Sequence, residues 1–563
     1  MKKSFAAVLV LLFLSCFAFA AAPKYSSRIL LIPLDDRPPC LQFPVQMGLI
    51  ADSEVVTPPR ELLGRFTEFG KSDEIIDWLK TQDLKTFDAA IVSVDMLSYG
   101  GLVAMRVNRT DERAAMRRLA FVREMKKLAP KMKMYASSVI MRLAPTGTGD
   151  NESYRENLAK WAEISVDPNS KNETVELEKK IPAHALADYK AARARDLKIN
   201  LETIRLVKDK VFDYLILSQD DAKPKGVHVA DRERLIAETK RLKLQEKIAV
   251  QPGADEVSML LLSRSLTDKY NFHPKIKAHY SSENTRNQVM PYEDRPLHQT
   301  VSFQIKAAGG IEVSPETDRH STDLDFFVYA SRLEKNGAKN FAEKILQGKN
   351  VVLADVDAKG DVQGADVDFI EYLTDPNFLN EQGEKQSSPQ FGIFFFLSGY
   401  ASWNTAGNTI GTALPQGILS GLANDSYFNV GVFRKNKKSV EKIDREAKND
   451  FLNRAAIAHD WFLINRLIDD YAFHAVVRPK ALQMIRANKW NALRLTGEQT
   501  KQVEEFCLRE LQPFVNEIAA DYRNVTKGKC EMSPITFDLP WNRTFEAEID
   551  FKLECRRSAD DKK

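Results

Sequence analysis

The sequence predicts an α/β fold: a mainly parallel sheet with covering helices, a second α/β stretch, a helical region and a short antiparallel β C-terminus. Three observations lead there. The N-terminal half alternates short β-branched runs with charged helical stretches, the pattern of parallel strands joined by crossover helices. A second series of the same kind follows a Pro/Asp/Arg-rich segment at Pro291–Pro296. Near the end, Phe545, Ala547, Ile549, Phe551 and Leu553 alternate with Glu546, Glu548, Asp550, Lys552 and Glu554. That period of two predicts one half-buried antiparallel strand.

The first element is an export signal. Lys2 and Lys3 form a basic start, Phe5 to Phe17 is an apolar run too short for a comfortable membrane span, and Ala18-Phe19-Ala20 offers a signal-peptidase site. Cleavage is expected after Ala20, giving a periplasmic or extracellular protein with no stable membrane span. Cys16 lacks the upstream aliphatic residue of a lipoprotein signal, since Phe13 stands there.

The chain's 563 residues are too many for one ordinary core. The expected organisation is an N-terminal α/β domain over 21–290, a second α/β region over 291–440, and a helical region with the C-terminal strand over 441–563. Strands are predicted at Arg28–Pro33, Glu54–Thr57, Ala89–Val94, Met132–Ser137, Tyr214–Leu217, Ile248–Val250 and Ile276–His279. Helices are predicted between them at Asp73–Thr81, Glu112–Lys127, Asn200–Lys208 and Arg232–Leu242. The polar stretch Asp150–Lys180 reads as an insertion or lid. Further strands follow at Phe326–Tyr329, Val351–Asp355 and Ile393–Leu397, the last apolar on both faces like a buried central strand. Thr496 with Gln499 forms a capping box for a helix running towards Tyr522.

Lys plus Arg number 81 against 78 Asp plus Glu, and no arginine or lysine stripe is interleaved with aromatics, so nucleic acid is not an expected partner. The mature cysteines are Cys40, Cys507, Cys530 and Cys555. Export permits oxidation, and Cys530–Cys555 is the preferred disulfide among the possible pairings. The chain has no His-Glu-x-x-His, no Cys-x-x-Cys, no Gly-x-Ser-x-Gly and no phosphate-binding glycine loop after the first strand. Zinc, α/β-hydrolase and nucleotide chemistry are disfavoured on those grounds.

Ligands of parallel α/β sheets bind beyond the carboxyl ends of the strands, so the residues following each strand carry the functional reading. The first strand leads into Asp35-Asp36-Arg37, the third into Asp95-Met96-Leu97-Ser98-Tyr99, and the fourth into Ser138 and Arg142. The fifth leads into Gln219-Asp220-Asp221 with His228 beyond, and the sixth into Asp255-Glu256. In the second series Trp403-Asn404 and Asn408 follow a strand. A polar group thus recurs at nearly every strand end. Simpler structural roles exist for several: Asp255 as a helix N-cap, Asp36–Arg37 as an ion pair, Tyr99-Gly100-Gly101 as a tight turn.

Asp95, Asp220, Asp221, Asp255 and Glu256 are candidate catalytic carboxyl groups, because glycoside hydrolysis needs one protonated and one ionised carboxyl facing across a cleft. Asp35, Asp36, Arg37, Tyr99, Arg142, Gln219, His228, Trp403, Asn404 and Asn408 are candidate substrate contacts. Tyr99 and Trp403 would stack on a sugar, and Arg37, Gln219, Asn404 and Asn408 would bond its hydroxyls. No metal ligand set and no cofactor is assigned, although a divalent cation is compatible with so many oxygens. Asp355-x-Asp357-x-x-Gly360-Asp361 loosely resembles a calcium loop without EF-hand spacing. Three readings stay open: a glycosidase on a small or terminal sugar, a calcium- or magnesium-dependent hydrolase, and a non-catalytic carbohydrate-binding envelope protein.

At these same residues the chain resembles a bacterial family, domain-of-unknown-function family four-one-two-seven. The matching blocks are Ile32-Pro33-Leu34-Asp35-Asp36-Arg37-Pro38, Thr57–Gly64, Ser93–Leu102, Leu217–Ala222, Pro252–Glu256, Trp403–Thr409 and Leu539–Arg543. Ser402 departs from the glycine expected before Trp403. The resemblance implies that these segments form one unit and brings no activity with it.

Overall fold

The structure is a computed structural model that describes residues 25–314, 316, 321–330, 335–357, 364–374, 391–425 and 445–556. The predicted leader, Cys16 and the Gly360-Asp361 part of the calcium-like loop lie outside the described residues.

Two mainly parallel sheets carry the fold. The first contains β1 (Ser27–Ile32), β2 (Ser53–Val56), β3 (Ala89–Ser93), β4 (Lys133–Ile140), β5 (Tyr214–Gln219) and β6 (Ile248–Pro252), in the order β2-β1-β3-β4-β5-β6. All of its neighbouring pairs are parallel. Alternation places Ile29 and Leu31 in one core and Leu30 and Ile32 in the other, so helices cover both faces. The second sheet contains β7 (Lys275–Tyr280), β8 (Ile311–Val313), β9 (Leu324–Tyr329), β10 (Val351–Asp355) and β11 (Gly399–Ala401), in the order β11-β10-β9-β7-β8.

The change of sheet falls before Lys275 rather than at Pro291–Pro296. The predicted strand at Ile276–His279 pairs with β8 and β9, not with the first sheet. One core runs through both halves: it takes in one face of the first sheet, the buried helix Val257–Tyr270 and the helix Ala406–Asn424. The two sheets therefore form one packed body.

Two predicted strands are corrected. Residues Gly392–Phe396 form a 3-10 turn, and the strand follows at Gly399–Ala401. Phe394 packs on Tyr400 while Phe396 is 79 % exposed, a split that a central strand does not allow. At the C-terminus, the alternating run breaks into β14 (Glu548–Asp550) and β15 (Leu553–Cys555), which pair with β13 (Thr536–Asp538) and β12 (Cys530–Met532). Glu546, predicted to face water, is buried because it meets Arg37. Cys530 and Cys555 face each other across the β12–β15 pair and form the expected disulfide.

The predicted capping box holds: Thr496 and Gln499 cap the helix Gly497–Val525. The polar stretch after Asp150 is helical at Glu152–Ile164 and Lys171–Lys180, and it leads into a longer helix, Ala183–Lys208, than the sequence reading marked. No helix among the described residues is long and apolar enough to cross a membrane.

Candidate functional site

Chain direction brings five of the fifteen candidate residues, Asp220, Asp221, Asp255, Asn404 and Asn408, to one recess. The loop after β5 presents Asp220 and Asp221, and the loop after β6 presents Gly253, Ala254 and Asp255. The connecting segment adds Tyr292 and Glu293, and β11 of the second sheet leads into Asn404, Thr405 and Asn408. These ten residues line one recess of about 30 Å³, roughly the volume of one water molecule. Thr405 caps the helix Ala406–Asn424 by accepting from the Asn408 amide at 3.2 Å, which fixes the second sheet's contribution. The Ala222 amide donates to the Tyr292 carbonyl at 2.8 Å, tying the connecting segment to the β5 loop.

The backbone is unusual at this recess. Asp221, Tyr292 and Asn404 have φ of 30°, 65° and 55°. Asn tolerates that region, whereas Asp and Tyr each bear a cost on the order of 1–2 kcal/mol. Gly253, at φ 107°, is needed for a second reason. A Cβ there would stand 1.7 Å from the Glu256 carboxyl oxygen.

Arginines hold the carboxylates from behind. Arg106 donates to Asp220 at 2.5 Å, and Arg142 donates to Asp221 at 2.5 Å. Arg37 serves Asp35 and Asp255 at 2.7 Å each, and Glu546 at 2.7 Å. Arg543 reaches Glu546 at 3.2 Å. In that second group three buried carboxylates face two guanidinium groups, and burial lifts Asp255 above the usual carboxylate range against the pull of Arg37. Of the three aspartates in the recess, Asp221 is the most open, with 37 % of its side chain exposed against 7 % for Asp220 and 10 % for Asp255.

Two glutamates complete the setting. Glu293 is held up at about 7 by burial, although the Thr300 hydroxyl bonds it at 2.5 Å. Glu256 is pushed up to about 8, again by burial first. It receives the Ala254 amide at 3.1 Å and the Gln304 side-chain amide at 3.2 Å, and it does not line the recess. Two raised carboxyl groups, Asp255 and Glu293, thus line the recess, and a carboxyl held up in this way is the acid half of acid–base work.

Other predicted residues sit elsewhere. Asp95 is buried under the strand ends, accepts the Val139 amide at 3.0 Å and is lifted to about 8 by burial. Tyr99 is buried with the Arg195 guanidinium 4.2 Å above its ring, so its face is not open to a sugar. The glycines after it make the tight turn, with φ of 96° and 115°. Trp403 is only 4 % exposed and donates to Thr412, so it is core rather than a stacking platform. Gln219 donates to the Ile140 and Asp220 carbonyls. His228 lies against the Lys223 backbone, with burial first among the causes lowering it to about 4. Asp36 is raised by burial and takes the Trp541 indole N–H at 2.6 Å. Asp35, Arg37 and Arg142 therefore act on the recess from its supporting side, while Asp36 meets Trp541 and Arg60 instead.

Sequence reasoning missed Arg106, Tyr292, Glu293, Thr405, Trp541 and Glu546. Glu293 lies in a segment read as a connection, where no strand periodicity points to it. Trp541 lies in one of the matching blocks, which was its only signal.

Asp469, Asp470 and His474 form the one group of metal-type ligands found together among the described residues. They sit on a π-helical stretch, Leu467–Val477. Arg466 already bonds both carboxylates, at 2.8 and 2.7 Å, and the Ser402 amide donates to Asp470. The hydroxyl of Ser402 donates to the Asp355 carbonyl, so the residue that departs from the expected glycine is built into this network.

The fold and the site define a two-sheet α/β protein whose strand ends converge on a small carboxylate recess backed by arginines. The chain belongs to the family described as Protein of unknown function (DUF4127), whose pattern matches residues 29–550, nearly the whole chain. No curated protein matches the chain.

Proposed function

We propose that the chain is an exported glycoside hydrolase acting on a small or terminal sugar. The observation that carries this reading is the shared recess, which Asp221 and Glu293 both line together with Asn404 and Asn408. In the proposed reaction Glu293 donates its proton to the leaving glycosidic oxygen. Asp221 takes a proton from a water in the recess, and that water's oxygen bonds to the anomeric carbon as the glycosidic bond breaks. Asn404 and Asn408 bond sugar hydroxyls. Glu293 replaces Asp95, Asp255 and Glu256 as the acid: Asp95 and Glu256 do not line the recess, and Asp255 is tied to Arg37. The Cys530–Cys555 disulfide supports an oxidising compartment and hence export.

Hydrolysis of a panel of aryl glycosides, with and without EDTA, tests the reading. Turnover that survives EDTA and is lost in Asp221→Asn and Glu293→Gln is expected. Loss with EDTA and recovery with calcium or magnesium would move the reading to a metal-dependent hydrolase. The pairing of each recess carboxylate to an arginine or a hydroxyl favours a second reading as a non-catalytic carbohydrate-binding protein. A silent panel with folded protein would select it.

A further inference from the structure

A recess of about 30 Å³ has room for a water or a glycosidic oxygen, but not for a sugar ring. A second cavity at the same strand-end edge has a volume of about 300 Å³, the lower end of the range for small-molecule sites. Its walls come from the segment after β3, the loop after β4, and the helices Glu152–Ile164 and Ala183–Lys208. The polar stretch that the sequence marked as an insertion thus forms part of the wall.

One side chain belongs to both places. Arg106 lines the larger cavity, and its guanidinium donates to Asp220 of the recess at 2.5 Å and to Thr146 of the cavity at 2.8 Å. Its Nε is buried with no hydrogen-bond partner among the described residues, and the residue is 7 % exposed. Beside it Arg109 is exposed, stands 5.1 Å above the Phe69 ring, and has no ion pair among the described residues. The two acids of the cavity are engaged elsewhere: Asp188 accepts the Asn108 amide at 3.1 Å, and Asp150 lies 3.6 Å from Arg494. Tyr154 supplies aromatic surface, while the Phe69 ring already carries Arg109. The cavity therefore offers the Arg109 guanidinium next to an aromatic side chain, and Arg106 bridges the cavity to the recess.

We propose that this cavity binds a sugar bearing a carboxylate, with the Arg109 guanidinium holding the carboxylate and Tyr154 lying against the sugar. A planar guanidinium matches a carboxylate in two parallel hydrogen bonds, and a neutral sugar would leave that capacity unused. The inference rests on the glycosidase reading for its biological sense, since it names the substrate class of that site.

The test is a binding measurement on the full-length mature chain, which needs no turnover. D-glucuronate, D-glucose and glucose 6-phosphate are titrated separately into the wild type and Arg109→Ala. Glucuronate should bind at least about tenfold more tightly than glucose, and Arg109→Ala should remove roughly ten- to a hundredfold of that affinity without changing glucose binding. An unchanged melting temperature confirms that the exposed substitution leaves the fold intact. Equal affinity for glucuronate and glucose overturns the proposal, as does an Arg109→Ala variant that binds glucuronate like the wild type. Tighter binding of glucose 6-phosphate overturns the carboxylate assignment. Glucuronate binding with a silent aryl-glycoside panel would sink the hydrolase reading and leave this cavity standing. Turnover without any preference for the uronate would do the reverse.

Discussion

Glu293 stays protonated to about pH 7 because burial removes the water that would stabilise its charge. An acid of that kind works below its pKa. In the proposed reaction kcat should fall as pH rises through about 7, and Glu293→Gln should flatten that alkaline limb, as a pH–rate profile would record. Asp95 makes the opposite kind of claim, about stability. Its folded-state value of about 8 lies well above an ordinary aspartate's, so the folded state holds a proton that the unfolded chain releases between about pH 4 and 8. Stability from this group is highest below that window and falls as pH rises through it. Asp95→Asn should therefore gain on the wild type in denaturant melts at pH 8 relative to pH 5. Residue by residue, Asp220, Asp221, Asp255, Asn404 and Asn408 were legible in the sequence because the strand-end rule selects them. Tyr99 and Trp403 were misread, since sequence cannot tell a ring facing a ligand from one facing Arg195 or Thr412.

Elements were readable where pattern and burial agree. The central strands β1, β3, β4 and β5 are apolar on both faces and appear close to their predicted positions. Ile393–Leu397 failed for a physical reason: an unbroken aromatic run also suits a tight turn, where Phe394 packs on Tyr400 while Phe396 points outward. The C-terminal alternation was a true strand signal, but two different partners divide it into β14 and β15. The disulfide between β12 and β15 closes a separation of 25 residues. Constraining a loop of that size in the unfolded chain stabilises a protein by about 3 kcal/mol. Cys530→Ser with Cys555→Ser should lower the denaturation midpoint accordingly, and reductant should do the same to the wild type alone.

Over the whole molecule, the C-terminal segment reaches back to the start of the first sheet. Trp541 bonds Asp36 and Glu546 bonds Arg37, so residues more than five hundred positions apart hold one charge network. That closure accounts for a family match running to residue 550 rather than ending with the second sheet. Arg37 is its centre. Arg37→Met would leave Asp35, Asp255 and Glu546 buried with only Arg543 to neutralise them. A loss of about 3–5 kcal/mol is expected in equilibrium unfolding, the usual result of stripping one partner from a buried ion pair. Such long-range pairing leaves no periodic trace, which is why Glu546 read as a solvated position.

The central claim is that Asp221 does chemistry in the recess rather than holding Arg142 in place. Its most direct test is kcat/KM of Asp221→Asn on whichever aryl glycoside the wild type hydrolyses, measured beside the melting temperature of both proteins. The account predicts a loss of roughly 10²–10⁴-fold, the range for removing a general base, with melting temperatures within a few degrees. Retention of wild-type turnover by a folded Asp221→Asn protein would contradict it.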